Sequence, residues 1–269
     1  MSALVVIPAR YASSRYPGKP LAKVGGIAMI QRVWAIARAA EGVSRTVVAT
    51  DDARIADAVR GFGGEAVMTP ERCRNGTERT FAAVEALGAR EKAIINLQGD
   101  AVLTPPWVVG ALARAMAEDP AIRIGTLATR MAPDAYAALK RQKEGGQAGG
   151  TTVTFDRNGD ALYFSKSLIP FVKKPGDELP IFRHIGIYAF RPETLAEYVT
   201  LPMGPFEKAE ELEQLRALEN GIRMRVVLCD YRGRTHWSID SPADLVEAEG
   251  ILAREGELLP AYDGSARVA

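Results

Sequence analysis

At 269 residues and 47% hydrophobic content, the chain is long enough for one sizeable α/β domain or one domain with a large insertion, and it has ample material for a core. Lys and Arg total 34 against 33 Asp and Glu, so no overall field draws the protein to nucleic acid or to a membrane surface, and any basic site must be local. Its two cysteines, Cys73 and Cys229, form no CxxC pair and have no histidine at ligand spacing, which argues against a zinc site or a disulfide framework and suits a reducing compartment.

The chain opens on "ALVVI", too short for a signal peptide or a membrane span, so a soluble, cytoplasmic protein is expected. "LVVI" (4–7) reads as a buried strand, "AMIQRVWAIARAA" (28–40) as a helix with Ile30, Val33, Trp34, Ala37 and Ala40 on one face, and "RTVVAT" (45–50) as the next strand. "RIADAVRGFG" (54–63) reads as a helix, "EAVMT" as a strand, "TERTFAAVEAL" as a helix opened by a Thr or Asn cap, and "AIINLQGD" (93–100) as a fourth strand running into a polar loop. Buried strands joined by helical crossovers predict a mainly parallel twisted sheet with helices on both faces, and ligands on such sheets sit beyond the carboxyl ends of the strands.

From about residue 125 the texture changes. "IGTLATRM", "TTVTFDRNGDALYFSK" and "FRHIGIYAFR" read as longer, partly alternating strands, with a hairpin signal at Asn158-Gly159; the Gly-rich "KEGGQAGG" (143–150) predicts a mobile segment. This antiparallel insertion is expected to form a lid or a dimer surface. "AEELEQLRALENG" reads as one helix closed by Gly221, "RMRVVLCDY" as a strand, and "SPADLVEAEGILARE" as a helix with Ser241 as cap and Pro242 at its first position. The expected organisation is one domain over 1–260, with a first half at 1–125, an inserted part at 126–230, a return to the main sheet at 231–260, and a loosely held tail at 261–269.

The chemistry-bearing residues gather at predicted strand ends. "VVIPARYASSRYPGKPL" (5–21) places Arg10, Arg15 and Lys19 just past the first strand, with Pro8 and Ala9 at its end and Gly18 allowing close backbone approach. Two guanidinium forks and an ammonium suit a triphosphate, although the spacing is neither the phosphate loop nor the dinucleotide fingerprint; a solvated loop has the same composition, and the residues alone leave both readings open. Asp100 after "INLQG" is placed to hold Mg²⁺ against substrate oxygens or, equally, to cap the following turn. Asp240 in "WSIDSPADL" reads alone as a residue leading into a helix, and as a metal carboxylate once paired with Asp100 at an equivalent strand end. His184 is one of two histidines, and a lone one is more often structural; Asp244 and the run "EKAEELE" read as solvated helix faces.

Taken together, "VVIPARYASSRYPGKPL", "VVATDD", "NGTERT", "NLQGD", "ALYFSKSLIPF", "RHIGIYAFR", "LEQLRALENG" and "IDSPADL", in that order, resemble the 3-deoxy-manno-octulosonate (Kdo) cytidylyltransferases up to about residue 250. The resemblance implies a nucleotidyltransferase domain of Rossmann-like, nucleotide-diphospho-sugar transferase type, acting as a homodimer on CTP and an acidic sugar in lipopolysaccharide or capsule synthesis. It implies that Arg10, Arg15 and Lys19 bind the triphosphate, that Pro8 and Ala9 also belong to the nucleotide site, and that Asn75, Gly76, Thr77 and Arg79 lie beside the base or ribose. It assigns Mg²⁺ to Asp100 and Asp240, and the sugar acid to Gln98, His184, Tyr188, Glu213 and Gln214. Catalysis would then rest on Asp100, Asp240 and Lys19: an anomeric hydroxyl attacks the α-phosphorus in line, so no nucleophilic side chain is needed.

Departures from the family pattern fall on the sugar side. Ala101 and Val102 follow "QGD" where Glu-Pro is usual, Gly149 and Thr152 replace Asn and Lys, and Lys166 replaces Arg. They leave two alternatives open, a cytidylyltransferase for a different acid and a CTP-binding regulatory module without turnover. Sialic-acid and methylerythritol cytidylyltransferases have other first-loop patterns. No basic run with interleaved aromatics suggests nucleic acid.

Overall fold

A computed structural model describes residues 2–12, 15–146, 149–174 and 179–259. They fall into two compact units, one comprising residues 2–117 and 231–259 and the other Glu118–Asp230. The architecture is mixed α/β with mainly parallel central strands, as the apolar runs predict.

In the first unit, β1 (Ala3–Ala9) is buried along its whole length. A small hairpin, β2 (Lys23–Val24) and β3 (Ile27–Ala28), leads into α1 (Met29–Arg38). There follow β4 (Val43–Thr50), α2 (Ala53–Gly61), β5 (Glu65–Met68), α3 (Gly76–Leu87), β6 (Ala93–Asn96) and α4 (Pro106–Glu118). Strands β6, β1, β4 and β5 lie side by side in that order, all parallel, the arrangement that helical crossovers enforce. Asp52 and Asn75 cap α2 and α3 by accepting from Arg54 N and Glu78 N.

The core face of α1 differs from expectation. Trp34 is only half-buried, while Arg32 is buried, because its guanidinium donates to both oxygens of Glu257 at 2.9 Å and to Val24 O at 2.7 Å. A partner 225 positions away thus turns a charged residue inward.

In the second unit, β7 (Ile124–Arg130) precedes α5 (Pro133–Glu144), the hairpin β8 (Thr152–Phe155) and β9 (Ala161–Ser165), and β10 (Phe182–Phe190). Then come α6 (Pro192–Tyr198), α7 (Pro205–Glu210), α8 (Leu215–Glu219) and β11 (Met224–Leu228). The predicted antiparallel insertion is present: β10 runs antiparallel to β7 and β8, β8 to β9, while β11 is parallel to β7. The hairpin turns where Asp156 accepts from Asn158 N and Asp160 N, and Gly159 takes φ 82°.

Sequence patterning did not expose α5, which buries only Leu139, in a cluster with Met131, Leu179 and Ile181. Of the Gly-rich run 143–150, Lys143 and Glu144 finish α5 and Lys143 Nζ donates to Gly149 O; residues 147 and 148, like the tail from 260, lie outside the described residues.

The single helix expected over "AEELEQLRALENG" is two. Glu211 adopts φ 48° and ends α7, and α8 begins only at Leu215. Long-range contacts hold the break open: Glu210 accepts from Ser165 Oγ (2.6 Å) and Lys166 N (2.8 Å), and Tyr198 Oη donates to Glu213 O (2.7 Å). The acidic run is therefore not a solvated face. Glu207 is buried in a two-pronged pair with Arg216, at 2.8 and 2.5 Å.

The chain returns to the first unit without a strand. Residues 234–239 form no strand, and α9 (Pro242–Glu255) follows with Ser241 as its cap. Asp240 thus lies on a loop leading into α9 and not at a strand end.

Candidate active site

A cavity of about 320 Å³ opens in the first unit at the carboxyl ends of its parallel strands, where the βαβ topology leads ligands to be expected. It is walled by Pro8 and Ala9 at the end of β1, by Arg10, Arg15 and Lys19 from the loop that follows, by Asn75, Gly76 and Arg79 from the start of α3, and by Gln98, Asp100 and Asp240. The sequence reading scatters these residues over 230 positions; the fold gathers them into one wall.

Two glycines make the wall possible. Gly18 sits at φ 72°, and a Cβ there would meet the Tyr11 ring at 3.1 Å, so the first loop can turn back only without a side chain. At Gly76 a Cβ would lie 2.8 Å from Gln98 Nε2 and 3.2 Å from Pro8 Cγ, so a side chain there would displace the Gln98 amide and crowd the end of β1.

Lys19 is the centre of the electrostatics. Its Nζ donates to Asp100 Oδ2 at 2.9 Å and to Ile239 O at 2.7 Å, and stands 3.7 Å from Asp240 Oδ1. Arg15 adds a donor to the same Asp240 oxygen at 3.0 Å. Two carboxylates from distant segments therefore converge on one cation. That arrangement fits a divalent ion of the magnesium type, which takes one or two protein carboxylates and completes its shell with phosphate oxygens and water, the ammonium standing where positive charge is wanted. Among the described residues no group of three or more His, Cys, Asp or Glu could hold a metal ion.

Some expected contacts are differently employed. Arg79 reaches the cavity, but its guanidinium is held by Asp51 Oδ2 (2.6 Å) and Thr69 Oγ1 (2.7 Å), which makes it a fixed wall element. Thr77 is buried behind the wall, where its hydroxyl accepts from Asn96 Nδ2 (3.3 Å); Asn96 Oδ1 in turn accepts from Gln98 Nε2 (3.1 Å), so Thr77 orients Gln98 through Asn96. Asp51 and Asp244 escaped the sequence reading as site residues, although "VVATDD" and "IDSPADL" contain them. Asp244 is no solvated face: its Oδ2 accepts from Asp240 N, Ser241 N and Ser241 Oγ. Burial alone would raise the Asp244 pKa, but the Ser241 hydroxyl and the two backbone N–H groups outweigh it and hold the carboxyl below the usual aspartate range.

The residues assigned to the sugar acid, apart from Gln98, form a cluster in the second unit. His184 Nε2 and Thr126 Oγ1 share a hydrogen bond at 2.9 Å, Tyr188 Oη donates to Gln214 Oε1 at 3.0 Å, and the His184 and Tyr188 rings lie 5.7 Å apart. Burial, with the Glu213 carboxylate beside it, pushes the Tyr188 pKa far up, so this phenol keeps its proton. Gln214 Nε2 is buried with no acceptor among the described residues, a donor whose desolvation is uncompensated within the chain. Among the departures, Val102 is fully buried, Thr152 Oγ1 donates to Ser167 O and accepts from Ile169 N in the segment just after β9, and Lys166 pairs with Glu211 at 3.3 Å.

The profile of the Cytidylyltransferase family matches residues 4–225, reaching into both units and setting the class of protein. The 3-deoxy-manno-octulosonate cytidylyltransferase of Maricaulis maris (strain MCS10) is 55% identical over 96% of this chain and 100% of that protein. The mitochondrial enzyme of the same name from Arabidopsis thaliana is 38% identical over 92% of this chain and 82% of its own length. The solved structure of CMP:2-keto-3-deoxy-manno-octonic acid synthetase complexed with CTP superposes with a TM-score of 0.83 at 37% identity, covering 95% of this chain and 100% of that one. The chain belongs to the 3-deoxy-manno-octulosonate cytidylyltransferase family.

Proposed function

We infer that the protein transfers CMP from CTP to the anomeric hydroxyl of 3-deoxy-manno-octulosonate and releases pyrophosphate. The observation that carries the site assignment is the convergence of Asp100 and Asp240 on Lys19 Nζ, on the wall of a cavity that the Arg10 and Arg15 loop also lines.

In this reading Arg10 and Arg15 take the triphosphate oxygens, and Lys19 leaves the aspartates to meet the charge that develops at the α-phosphate. The anomeric oxygen bonds to the α-phosphorus, the bond to the β-phosphate oxygen breaks, and the hydroxyl proton is released. Asp100 and Asp240 would hold Mg²⁺, which when bound would supply Lewis-acid charge to the reacting phosphate. The chain's own contribution is placement: Asn75 and Gly76 at the base and ribose, Gln98 fixed by Asn96, and Gln214 Nε2 kept without an internal acceptor for the sugar.

Cationic charge survives around the replaced sugar-side positions. Lys143 donates to Gly149 O; burial lowers its pKa most, Glu210 opposes that, and Lys166 and Arg183 push the same way as burial, which places positive groups where a carboxylate substrate would profit. A homodimer accords with the exposed Leu162, Phe171 and Phe206 of the second unit and with β9, whose one partner strand among the described residues is β8. Cytoplasmic CMP-sugar supply for lipopolysaccharide is the setting proposed. Among the described residues no helix is long and apolar enough to cross a membrane.

Two results are expected. In a screen of acid acceptors at fixed CTP and Mg²⁺, pyrophosphate release will be fastest with 3-deoxy-manno-octulosonate; equal rates with several acids would remove the substrate assignment, and CTP binding without release for any acceptor would favour the regulatory alternative. Lys19→Ala will lower kcat/KM for CTP by about 100-fold, the scale of losing one preorganised charge contact at a developing oxyanion; unchanged steady-state kinetics would leave Lys19 a mere surface residue.

A further inference from the structure

Asp240 sits on a stretch that no strand supports, yet its carboxylate must face Asp100 to share a cation. What fixes it is visible in the hydrogen bonds of one residue in the first turn of α9. Asp244 Oδ2 accepts from Asp240 N at 3.0 Å, from Ser241 N at 2.7 Å and from Ser241 Oγ at 2.8 Å. The backbone carbonyl of the same residue accepts from Trp237 Nε1 at 3.0 Å. Segment 237–241 is thus strapped to Asp244 at both ends.

A helix cap alone would not need all of this. The reciprocal Ser241 and Asp244 bonds complete the capping box of α9. The bond from Asp240 N is additional, and it acts directly on the backbone that carries the proposed metal carboxylate. Half of the Asp240 side chain is exposed, and its partners among the described residues are the cations Arg15 and Lys19, which the proposed reaction draws away to phosphate. Once they leave, the backbone strap is what keeps Oδ1 turned towards Asp100.

We propose that Asp244 is a positioning residue for the cation site, holding the 237–241 segment so that the Asp240 carboxylate stays opposed to Asp100 when Lys19 and Arg15 turn to the nucleotide. The proposal rests on the reading of Asp240 as a metal-holding carboxylate. Groups that orient a metal ligand from outside its coordination shell typically change affinity or activity by about 10- to 100-fold, which sets the expected effect.

The test compares four variants by Mn²⁺ dissociation constant, read from unbound Mn²⁺ by electron paramagnetic resonance, together with thermal midpoint, kcat and KM for CTP. Asp244→Ala is expected to weaken Mn²⁺ binding and lower kcat by about 10- to 100-fold each, with KM for CTP moving far less. Ser241→Ala removes the cap hydroxyl but keeps the Asp240 N and Ser241 N bonds, and so controls for lost helix stability; it is expected to lower the thermal midpoint comparably while costing far less Mn²⁺ affinity and kcat than Asp244→Ala. Asp244→Asn keeps an oxygen that can accept from the Asp240 and Ser241 backbone N–H groups, and is expected to restore part of both. If Asp244→Ala and Ser241→Ala match in Mn²⁺ affinity and kcat, or if the Asn variant is as impaired as the Ala variant, the positioning role is overturned. Asp240→Asn separates the two levels: it should lose Mn²⁺ binding, and native Mn²⁺ affinity in that variant would overturn the parent reading itself.

Discussion

Asp100→Asn will reduce kcat by about 1000-fold or more while leaving the thermal midpoint within a few degrees of the native protein. The size follows from the charge lost: cation-assisted stabilisation at a phosphoryl centre contributes several kcal/mol, and each 1.36 kcal/mol is tenfold in rate. The mildness on stability follows from geometry. Asp100 lies in the turn after β6, a quarter exposed, and its Oδ2 contact is to Lys19 Nζ, which keeps Ile239 O as a second acceptor. Asparagine has the same shape, so no cavity opens. Pyrophosphate release alongside differential scanning calorimetry would check both halves; activity within about tenfold of native would remove Asp100 from the charge machinery.

Glu207→Ala will have the largest effect on stability, lowering the unfolding free energy by about 3–5 kcal/mol, because it leaves the Arg216 guanidinium buried without its counter-charge. Both side chains are about 95% buried and joined by two hydrogen bonds. The neighbourhood offers little room to relax, since Glu219 is already spent on Phe206 N and Glu207 N at the start of α7. The pair also braces the break between α7 and α8 that carries Glu213 and Gln214, so KM for the sugar acid should rise more than KM for CTP. Urea unfolding measures the first effect, and a loss below about 1 kcal/mol would mean that the Arg216 charge finds other compensation.

The legible parts of the protein share a short physical range. Strands β1, β4 and β6 announce themselves as apolar runs, Asn75 and Ser241 as caps, and the first loop as a dense group of cations beside a glycine. Each signal is carried within a dozen residues. What sequence patterning missed is set by partners far along the chain. Arg32 turns inward for Glu257, Arg79 is claimed by Asp51 before any nucleotide arrives, and the α7–α8 break is held by Ser165, Lys166 and Tyr198. The helix α5 escaped notice because one buried leucine gives no periodicity to read.

The site shows the same division. Residue types and order were enough to single out Arg10, Arg15, Lys19, Asp100 and Asp240, and the fold places all five around one cavity. Their mutual geometry was not readable: the approach to Asp240 is a loop tied by Trp237 to Asp244 and by Thr235 to Glu255, with no ladder bonds that a strand pattern would reveal. Nor did the sequence show that the Thr152 hydroxyl is taken up by Ser167 and Ile169 just after β9, so that cationic charge near it must come from other elements.

Crystals soaked with CTP and Mn²⁺ and measured at the manganese absorption edge bear on the metal assignment most directly. The account predicts one anomalous peak bonded to carboxylate oxygens of both Asp100 and Asp240 and to a phosphate oxygen, with Lys19 Nζ moved from the aspartates to the triphosphate. A peak elsewhere, or one bound by nucleotide alone while the lysine stays between the two carboxylates, would contradict it.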